Sequence, residues 1–448
     1  MGPGGCARGS APGGSGAGLH RHRAGDEGQG PPGTVVGRRP KPLRGQRLGR
    51  RVTAGFAPPP YPYERLDELR AAAAPLLGGA VDCSIGTPCD PPPAQVVAAL
   101  AGSGTERGYP ASIGSPAFRQ AAAAWTQRRF NVELDPDSHL AACIGTKEFV
   151  VSLPGYLRLR HPDRDTVLYP EVSYPSYAMG ATLAGCRPVP VAVDRHFRVD
   201  LSTIDPRDAA RALCLWVNTP GNPAGTLDDL GAAAAWGRHN GVLVASDECY
   251  AEFTWDGPPR TILEHGTGGV LAVHSLSKRS NMAGVRAGFY AGDAELVHYL
   301  RECRKHAGCM VPGPVQAAAV AAWSDQDHVD QQRARYRDRL ERLASIIELA
   351  NRLGHLRDAR FMIDDAFELP ELPAGGFYLW TRIPGGDAWA CADALARSCG
   401  LIVSPGEFYC EQLCASGAVD AREYVRIAAV QPEGRLQLAE SRLLELAG

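Results

Sequence analysis

The chain has 448 residues, of which 44% are hydrophobic and 21% charged, so it is long enough for two or three domains with a sizeable core. Its net charge of −2 hides an asymmetry, because the first 51 residues carry a net charge of +8 and the remainder about −10. Because the remainder of the chain is acidic, it lacks the overall basic charge that is typical of a nucleic-acid-binding protein. No apolar run approaches the ~18 residues of a membrane span, and the N-terminus lacks the apolar core of a secretory signal.

The cysteine pattern bears on redox environment and on metal binding. Thirteen cysteines are scattered without a Cys-x-x-Cys pair, and several lie inside apolar runs, such as Cys143, Cys186 and Cys214. A reduced thiol in such a run packs as a small hydrophobic group. The pattern therefore favours a reducing, cytoplasmic location and predicts no metal site.

Residues 1–52 are rich in Gly, Pro and Arg and almost devoid of aromatic and branched apolar residues. Such a segment cannot bury enough apolar surface to offset the entropy of ordering it. The pattern predicts a disordered leader. A transit peptide, a contact with nucleic acid through its arginines, or a translation start assigned too far upstream all remain open.

The first folded elements follow this leader. The sequence predicts a helix over 63–74 that Pro75 ends, and then a turn-rich segment over 81–93. Gly86 in that segment would let the backbone approach a ligand closely. Ser115 is a typical N-cap and Pro116 a typical first helical residue, which predicts a helix over 116–129.

The next segments alternate between predicted strands and helices. An apolar run over 140–144 is followed by Gly145-Thr146-Lys147 and a helical stretch. A strand that leads directly into a helix points unpaired N–H groups and the helix dipole at an anion, so this junction is a candidate phosphate site. A second strand over 166–169 leads to Tyr174 and another helix.

Polar residues also follow the next two predicted strands. The strand over 212–217 ends in a loop with two prolines and two glycines that presents Asn222, and the strand over 242–245 is followed by Asp247 and then Tyr250. In open parallel α/β sheets, ligands bind at the carboxyl ends of strands. We therefore expect the amide, the carboxylate and the phenol to lie near one another.

A third such junction carries an amine. The apolar run over 270–273 breaks into a polar loop with Ser275, Lys278 and Arg286. The lysine can bind a carbonyl covalently, while the hydroxyl and guanidinium can hold a phosphate. With a carboxylate available from Asp247, this combination suits pyridoxal phosphate, which needs a lysine, a phosphate cradle and a carboxylate near its ring nitrogen.

The C-terminal part mixes helices and strands. Helices are predicted over 294–306, 314–323, 326–353 and 388–399, and strands over 376–381, 401–404 and 424–428. Arg426 stands within the last of these strands. An arginine that points inward from a strand needs an anionic partner, although an edge position that faces solvent remains open.

From about residue 61 to the C-terminus, the sequence resembles the fold-type I, class I/II pyridoxal-phosphate aminotransferases. The resemblance rests on three motifs in order and spacing, which are the Asn222-Pro223-Ala224-Gly225 turn, Asp247 with Tyr250, and the set Ser275, Lys278 and Arg286. It implies an α/β fold with a large cofactor-binding domain over 88–324, built on a mostly parallel sheet between helices. A smaller α+β domain would comprise residues 53–87 and 325–448.

The resemblance also implies roles for the residues at the ring of pyridoxal phosphate. Lys278 would bind the cofactor covalently and move the catalytic proton. Asp247 would pair with the ring nitrogen. Asn222 and Tyr250 would contact the phenolic oxygen of the ring, and Tyr174 would stack on the ring.

The remaining implied roles concern the phosphate and the substrate. The residues that would hold the phosphate are Gly145, Thr146, Lys147, Ser275 and Arg286. Arg426 would bind the substrate α-carboxylate, with Asn222 and Gly86 beside it. Tyr109 would reach the phosphate site of the partner subunit, which implies a homodimer.

Within the family, four phrases are most similar to the succinyldiaminopimelate transaminases of the actinobacterial type: SDECY, HSLSKRSNMAGVRAGF, RKHAGCMVPGPVQAA and GGFYLW. This implies that glutamate and N-succinyl-2-amino-6-oxopimelate are the amino donor and acceptor, in lysine and diaminopimelate synthesis. A general alanine/glutamate-type aminotransferase or a carbon–sulfur β-lyase remains open, because the cofactor motifs are shared. A transcriptional regulator would need a helix-turn-helix domain, and the leader lacks the helical periodicity for one.

Overall fold

The computed structural model describes residues 56–59, 62–353, 372–383, 387–410 and 419–447. The leader predicted over residues 1–52 lies outside these residues. The chain divides into two compact units, Met1–Pro59 and Pro60–Gly448. The elements described below all belong to the second unit.

The described residues form twelve strands, arranged in one large and two small sheets. They are β1 (Val81–Asp82), β2 (Leu140–Cys143), β3 (Thr166–Pro170), β4 (Arg187–Val191), β5 (Ala212–Asn218), β6 (Leu243–Asp247), β7 (Val270–Ser275), β8 (Gly288–Gly292), β9 (Tyr378–Arg382), β10 (Leu401–Ile402), β11 (Ser404–Pro405) and β12 (Tyr424–Ala428).

The large sheet has the strand order β2-β8-β7-β6-β5-β3-β4. The pairs from β7 to β4 are parallel, and β8 is antiparallel to both of its neighbours, β7 and β2. All strands except β8 therefore end at one edge of the sheet. Because β8 runs the other way, it begins at that same edge, and the residues before it join the loops that follow the parallel strands.

The α-helices cover the sheets and connect the strands. They are α1 (Asp67–Ala73), α2 (Ala94–Ala101), α3 (Pro116–Phe130), α4 (Thr146–Arg160), α5 (Ser176–Leu183), α6 (Pro206–Arg211), α7 (Leu230–Asn240), α8 (Leu276–Arg279), α9 (Ala294–His306), α10 (Gly313–Ser324), α11 (Asp327–Arg352), α12 (Ala388–Ser398) and α13 (Glu433–Ala447). Among the described residues, none of these helices combines the length and apolar character needed to cross a bilayer.

The large sheet is buried on both faces, as near-continuous apolar strands require. Along β7, Val270 and Ala272 belong to one hydrophobic cluster, which also contains residues of α3, α7 and α10. Leu271 and Val273 point to the opposite face and belong to a second cluster, with residues of α4, α5 and α9. This alternation is the two-residue period of a strand.

A third hydrophobic cluster lies beneath the antiparallel sheet β11-β12-β9. It contains apolar residues of α1, α11, α12 and α13. The division into a large domain over 88–324 and a small domain from 53–87 and 325–448 stays a prediction.

Most predicted elements coincide with observed ones to within two residues. The strands β4 and β8 were not predicted from the sequence. The edge strand β4 contains Pro188 and Pro190, which disfavour a central strand but are tolerated at an edge. Both ends of β8 are glycines, which are typical of loops. One prediction is wrong in detail, because Lys278 lies in the one-turn helix α8 rather than in a loop.

Candidate active site

A cavity of about 520 Å³ opens between the edge of the large sheet at which the parallel strands end and the residues of β9 and β12. Most of the residues predicted for the site line this cavity: Gly86, Thr146, Lys147, Tyr174, Asn222, Asp247, Tyr250, Ser275, Lys278, Arg286 and Arg426. They come from loops far apart in sequence. The topology therefore brings the predicted residues together because their strands are neighbours.

Two predicted residues do not line the cavity. Gly145 lies just behind it, and a Cβ atom placed on Gly145 would overlap the guanidinium of Arg286. Tyr109 is fully exposed, at 100% relative accessibility. Its predicted contact with the phosphate site of a partner subunit stays a prediction.

Lys278 reaches into the cavity from α8. Its Nζ donates a hydrogen bond to the carbonyl oxygen of Gly86. Burial, together with the positive charges of Arg426 and Arg286, lowers the pKa of Lys278 to about 8. Roughly a tenth of this amine is therefore neutral at pH 7, far more than for an ordinary lysine, and this form can accept a proton.

One end of the cavity is suited to an anion. Helix α4 begins after Gly145 without a side-chain cap, so its first N–H groups are available to a ligand. The Ser275 hydroxyl accepts a hydrogen bond from the Ser277 N–H at 3.0 Å and keeps its own proton to donate. Arg286 donates to the carbonyl oxygen of Ala283 at 2.7 Å and forms no ion pair with a described carboxylate.

The carboxylate of Asp247 lies at the end of β6. Its Oδ2 accepts a hydrogen bond from the Tyr177 hydroxyl at 3.0 Å, and its Oδ1 accepts one from the Cys249 N–H at 3.2 Å. Burial raises the pKa of Asp247, and both hydrogen bonds oppose this shift. Both hydrogen bonds favour the ionised carboxylate, which is the form that would pair with a cationic group in the cavity.

Arg426 is buried, at 1% relative accessibility, so the alternative in which it faces solvent is wrong. Its guanidinium donates to Asn222 Oδ1 at 2.8 Å and to the carbonyl oxygen of Ser84 at 2.5 Å. The Cζ atom lies 4.3 Å from the ring centroid of Tyr378 and 4.6 Å from that of Tyr409. None of these neighbours carries a negative charge, so the guanidinium can bind an incoming carboxylate.

Comparison with known proteins decides which family has this site. The sequence profile described as "Aminotransferase class I and II" matches residues 80–441, which is most of the chain. The chain belongs to the class I and II aminotransferases.

Individual relatives of this aminotransferase match over nearly their whole length. Two are 37% identical: the 4-dedimethylamino-4-oxo-anhydrotetracycline transaminase of Streptomyces rimosus, over 86% of this chain and 99% of the relative, and a probable aminotransferase of Mycobacterium tuberculosis, over 90% and 93%. An LL-diaminopimelate aminotransferase of Desulforudis audaxviator is 33% identical over 86% of this chain and 95% of its own length.

Solved structures of aminotransferases share the fold. An aminotransferase from Neisseria meningitidis has a TM-score of 0.75 and 30% identity, over 87% of this chain and 98% of that chain. A probable N-succinyldiaminopimelate aminotransferase from Thermus thermophilus has a TM-score of 0.71 and 28% identity, over 86% and 99%. The α/β class predicted from the sequence, with its mostly parallel sheet, is confirmed.

Enzymes of this family depend on pyridoxal phosphate, and the site fits that cofactor. The N-terminus of α4, Ser275 and Arg286 would hold its phosphate, and the absence of a side chain on Gly145 makes room for Arg286. Asp247 would pair with its ring nitrogen and Lys278 would bind it covalently. When bound, the cofactor withdraws electrons from the substrate Cα and makes its proton acidic.

Tyr177 also belongs to this aminotransferase site, and it was not predicted from the sequence. It lies in the first turn of α5, three residues after Tyr174, and both residues line the cavity. This nearness to Tyr174 indicates that Tyr177 lies at the site, but it does not indicate which group the hydroxyl contacts. Its hydroxyl is the side-chain donor to Asp247 Oδ2.

We expect Tyr177→Phe to lower kcat about fivefold, because the net contribution of one hydrogen bond is about 1 kcal/mol. The pKa of Asp247 would rise further, so the carboxylate would more readily take up the proton that should stay on its cationic partner. The dissociation constant of pyridoxal phosphate should increase as well. Tyr299→Phe is the control, because it removes a 2.8 Å hydrogen bond to the Tyr156 carbonyl away from the cavity. Equal kcat in both variants would contradict the assignment.

Proposed function

We propose that this aminotransferase moves an amino group between glutamate and N-succinyl-2-amino-6-oxopimelate. The products would be 2-oxoglutarate and N-succinyl-LL-2,6-diaminopimelate. The observation that carries the amino-acid part of the proposal is the buried guanidinium of Arg426, which faces the same cavity as Lys278 and has no described carboxylate partner. An α-carboxylate bound there would bring the substrate Cα within the cavity that Lys278 reaches.

The choice of acceptor rests on relatives and on the size of the cavity. The names of the Desulforudis and Thermus enzymes refer to diaminopimelate and N-succinyldiaminopimelate. A cavity of about 520 Å³ is in the range of small-molecule sites, and the cofactor and the proposed substrate, which carries three carboxylates, would share it. The four sequence phrases quoted above support the same subgroup.

The residues of this chain have distinct tasks in the proposed reaction. Arg426 binds the α-carboxylate and so positions Cα. Lys278 Nζ would take the proton from Cα of the amino donor and, in the second half of the reaction, give a proton to Cα of the acceptor. Its pKa of about 8 permits this near neutral pH. Asp247 holds the ring nitrogen in its cationic form. Tyr109 of a second copy would complete the phosphate site in a homodimer.

The acceptor is tested by a steady-state comparison with glutamate as the amino donor. We expect kcat/KM for N-succinyl-2-amino-6-oxopimelate to exceed that for pyruvate by a factor on the order of 10² or more, because contacts to the distal groups add binding in the transition state. The panel should include 4-dedimethylamino-4-oxo-anhydrotetracycline, since one 37% identical relative is named for it.

Other outcomes of this comparison would contradict the proposal. A preference for the tetracycline compound or for pyruvate would exclude the succinylated substrate as the main acceptor. Release of pyruvate and ammonia from cystathionine, at a rate above that of amino transfer, would identify a carbon–sulfur β-lyase instead. Each outcome leaves the assignment to the aminotransferase family unchanged.

A further inference from the structure

Tyr378 joins two parts of the active site that the sequence places far apart. Its hydroxyl lies 2.6 Å from the hydroxyl of Tyr250, a residue 128 positions away along the chain. Its ring lies against the guanidinium of Arg426, with 4.3 Å between Cζ and the ring centroid. One side chain of β9 thus contacts both the predicted partner of the cofactor's ring oxygen and the predicted anchor of the substrate carboxylate.

We propose that Tyr378 is a positioning residue that holds the Tyr250 hydroxyl and the Arg426 guanidinium in one fixed arrangement. The proposal rests on the roles given above to Tyr250 and Arg426. It does not depend on which oxo acid is the acceptor. No role of this kind follows from the sequence motifs, in which Tyr378 is one aromatic residue of GGFYLW.

The backbone before Tyr378 is held rigidly against the loops of the site. The Gly375 N–H donates to the Gly225 carbonyl at 2.8 Å, and the Gly376 N–H donates to the Phe253 carbonyl, also at 2.8 Å. Gly225 belongs to the turn that presents Asn222, and Phe253 follows Tyr250 by three residues. The position of Tyr378 is therefore fixed relative to both loops.

The space around the Tyr378 hydroxyl is shaped for it. A Cβ atom placed on Gly86 would overlap this hydroxyl, so the glycine leaves room for the tyrosine. The carbonyl of the same glycine accepts the hydrogen bond from Lys278 Nζ. Gly86 thus supports the proposed arrangement by packing, in addition to the substrate contact predicted from the sequence.

One hydrogen bond joins the two hydroxyls, and it uses only one of their two protons. Burial raises the pKa of Tyr378 to about 12 and that of Tyr250 well above its usual value, so both are protonated near pH 7. One O–H is donated within the pair. The other remains available to a ligand in the cavity, and the internal bond determines its direction.

The test is Tyr378→Phe, which removes the hydroxyl and keeps the ring against Arg426. We expect kcat with glutamate to fall about tenfold, while KM for glutamate and the dissociation constant of glutarate, measured calorimetrically on the cofactor-free protein, change less than about threefold. The pH at which the visible band of the cofactor-loaded enzyme changes should also shift, because Tyr250 loses its partner.

The matched control is Tyr336→Phe. Tyr336 is buried and stacks on Phe377, with 4.6 Å between ring centroids. Its hydroxyl does not line the cavity. This variant should retain the kcat, the glutarate affinity and the pH of the spectral change of the parent enzyme.

A double-variant cycle tests the pairing of the two hydroxyls separately from the size of either single loss. When the two hydroxyls act as a pair, Tyr250→Phe combined with Tyr378→Phe should be no slower than Tyr250→Phe alone. Additive losses, an unchanged spectral pH in Tyr378→Phe, or an equal shift in Tyr336→Phe would each overturn the proposal. A different preferred acceptor would overturn only the proposed function, since glutamate and glutarate are the probes here.

Discussion

Lys278→Ala is expected to reduce amino transfer by several orders of magnitude while the protein still binds pyridoxal phosphate. The variant loses the covalent link to the cofactor and also the base, and general base catalysis alone supplies ~10²–10⁴-fold. Binding should persist because Ser275, Arg286 and Asp247 would hold the cofactor without the lysine. The measurement is single-turnover kinetics with glutamate at saturating cofactor.

The lysine content of the chain makes the assignment easy to check. There are four lysines, Lys41, Lys147, Lys278 and Lys305. Borohydride reduction of the parent enzyme, followed by peptide mapping, should attach the cofactor to Lys278 alone. Labelling at another lysine, or parental turnover in Lys278→Ala, would show that the site has been misassigned.

Arg286→Ala provides the opposite pattern and serves as the comparison for Lys278→Ala. Arg286 faces the anion-binding end of the cavity and forms no ion pair with a described carboxylate. Its loss should weaken the affinity for the cofactor more than it lowers kcat at saturating cofactor. If both variants had the same profile, the division between chemistry and phosphate binding would be wrong.

Arg426→Gln should raise KM for glutamate strongly and should weaken glutarate binding. Removing one member of a buried, hydrogen-bonded charge pair costs about 2–5 kcal/mol, which corresponds to a loss of roughly 30-fold to several thousand-fold in kcat/KM. Arg426→Lys should recover only part of this loss, because an ammonium cannot form the two parallel hydrogen bonds of a guanidinium. Steady-state kinetics and calorimetry measure both effects.

Arg339→Gln is the control for a buried arginine that already has a partner. Its guanidinium forms two hydrogen bonds with Asp90, at 2.6 and 2.8 Å. We expect this variant to lower the melting temperature, since it leaves the Asp90 carboxylate without its cation, and to keep the KM of the parent enzyme. Arg426→Gln should lower the melting temperature of the cofactor-free protein less, because it leaves no described carboxylate without its cation. A large KM effect in Arg339→Gln alone would contradict the role of Arg426.

The convergence of Asn222, Asp247 and Lys278 could be predicted from the sequence. Each follows an apolar run that reads as a buried strand, and parallel strands end at the same edge of a sheet. Once the strands are assigned, the polar residues after them must meet. The neighbouring order β7-β6-β5 confirms that their strands are adjacent.

The contacts of the Tyr177 and Tyr378 hydroxyls could not be predicted from the sequence in this way. An aromatic residue at the start of a helix or on a strand most often packs in the core, and nothing in its local pattern distinguishes a hydroxyl with a functional partner. The 2.6 Å contact between Tyr250 and Tyr378 joins the loop after β6 to strand β9 of the three-stranded sheet. The predicted residues that the structure brings into one cavity are therefore mainly polar residues adjacent to strand ends.

By itself, the sequence determined the chemical groups of the site and the order in which they follow the strands. Strand ends, helix starts and the polar residues next to them are local features with local signals. Only the tertiary structure decided how the site is closed. The three-stranded sheet brings Arg426 and Tyr378 against loops more than a hundred residues earlier in the chain. The absence of a side chain on Gly86 lets Tyr378 approach that closely. Packing of this kind depends on the shapes of both partners, so no single segment of the sequence encodes it.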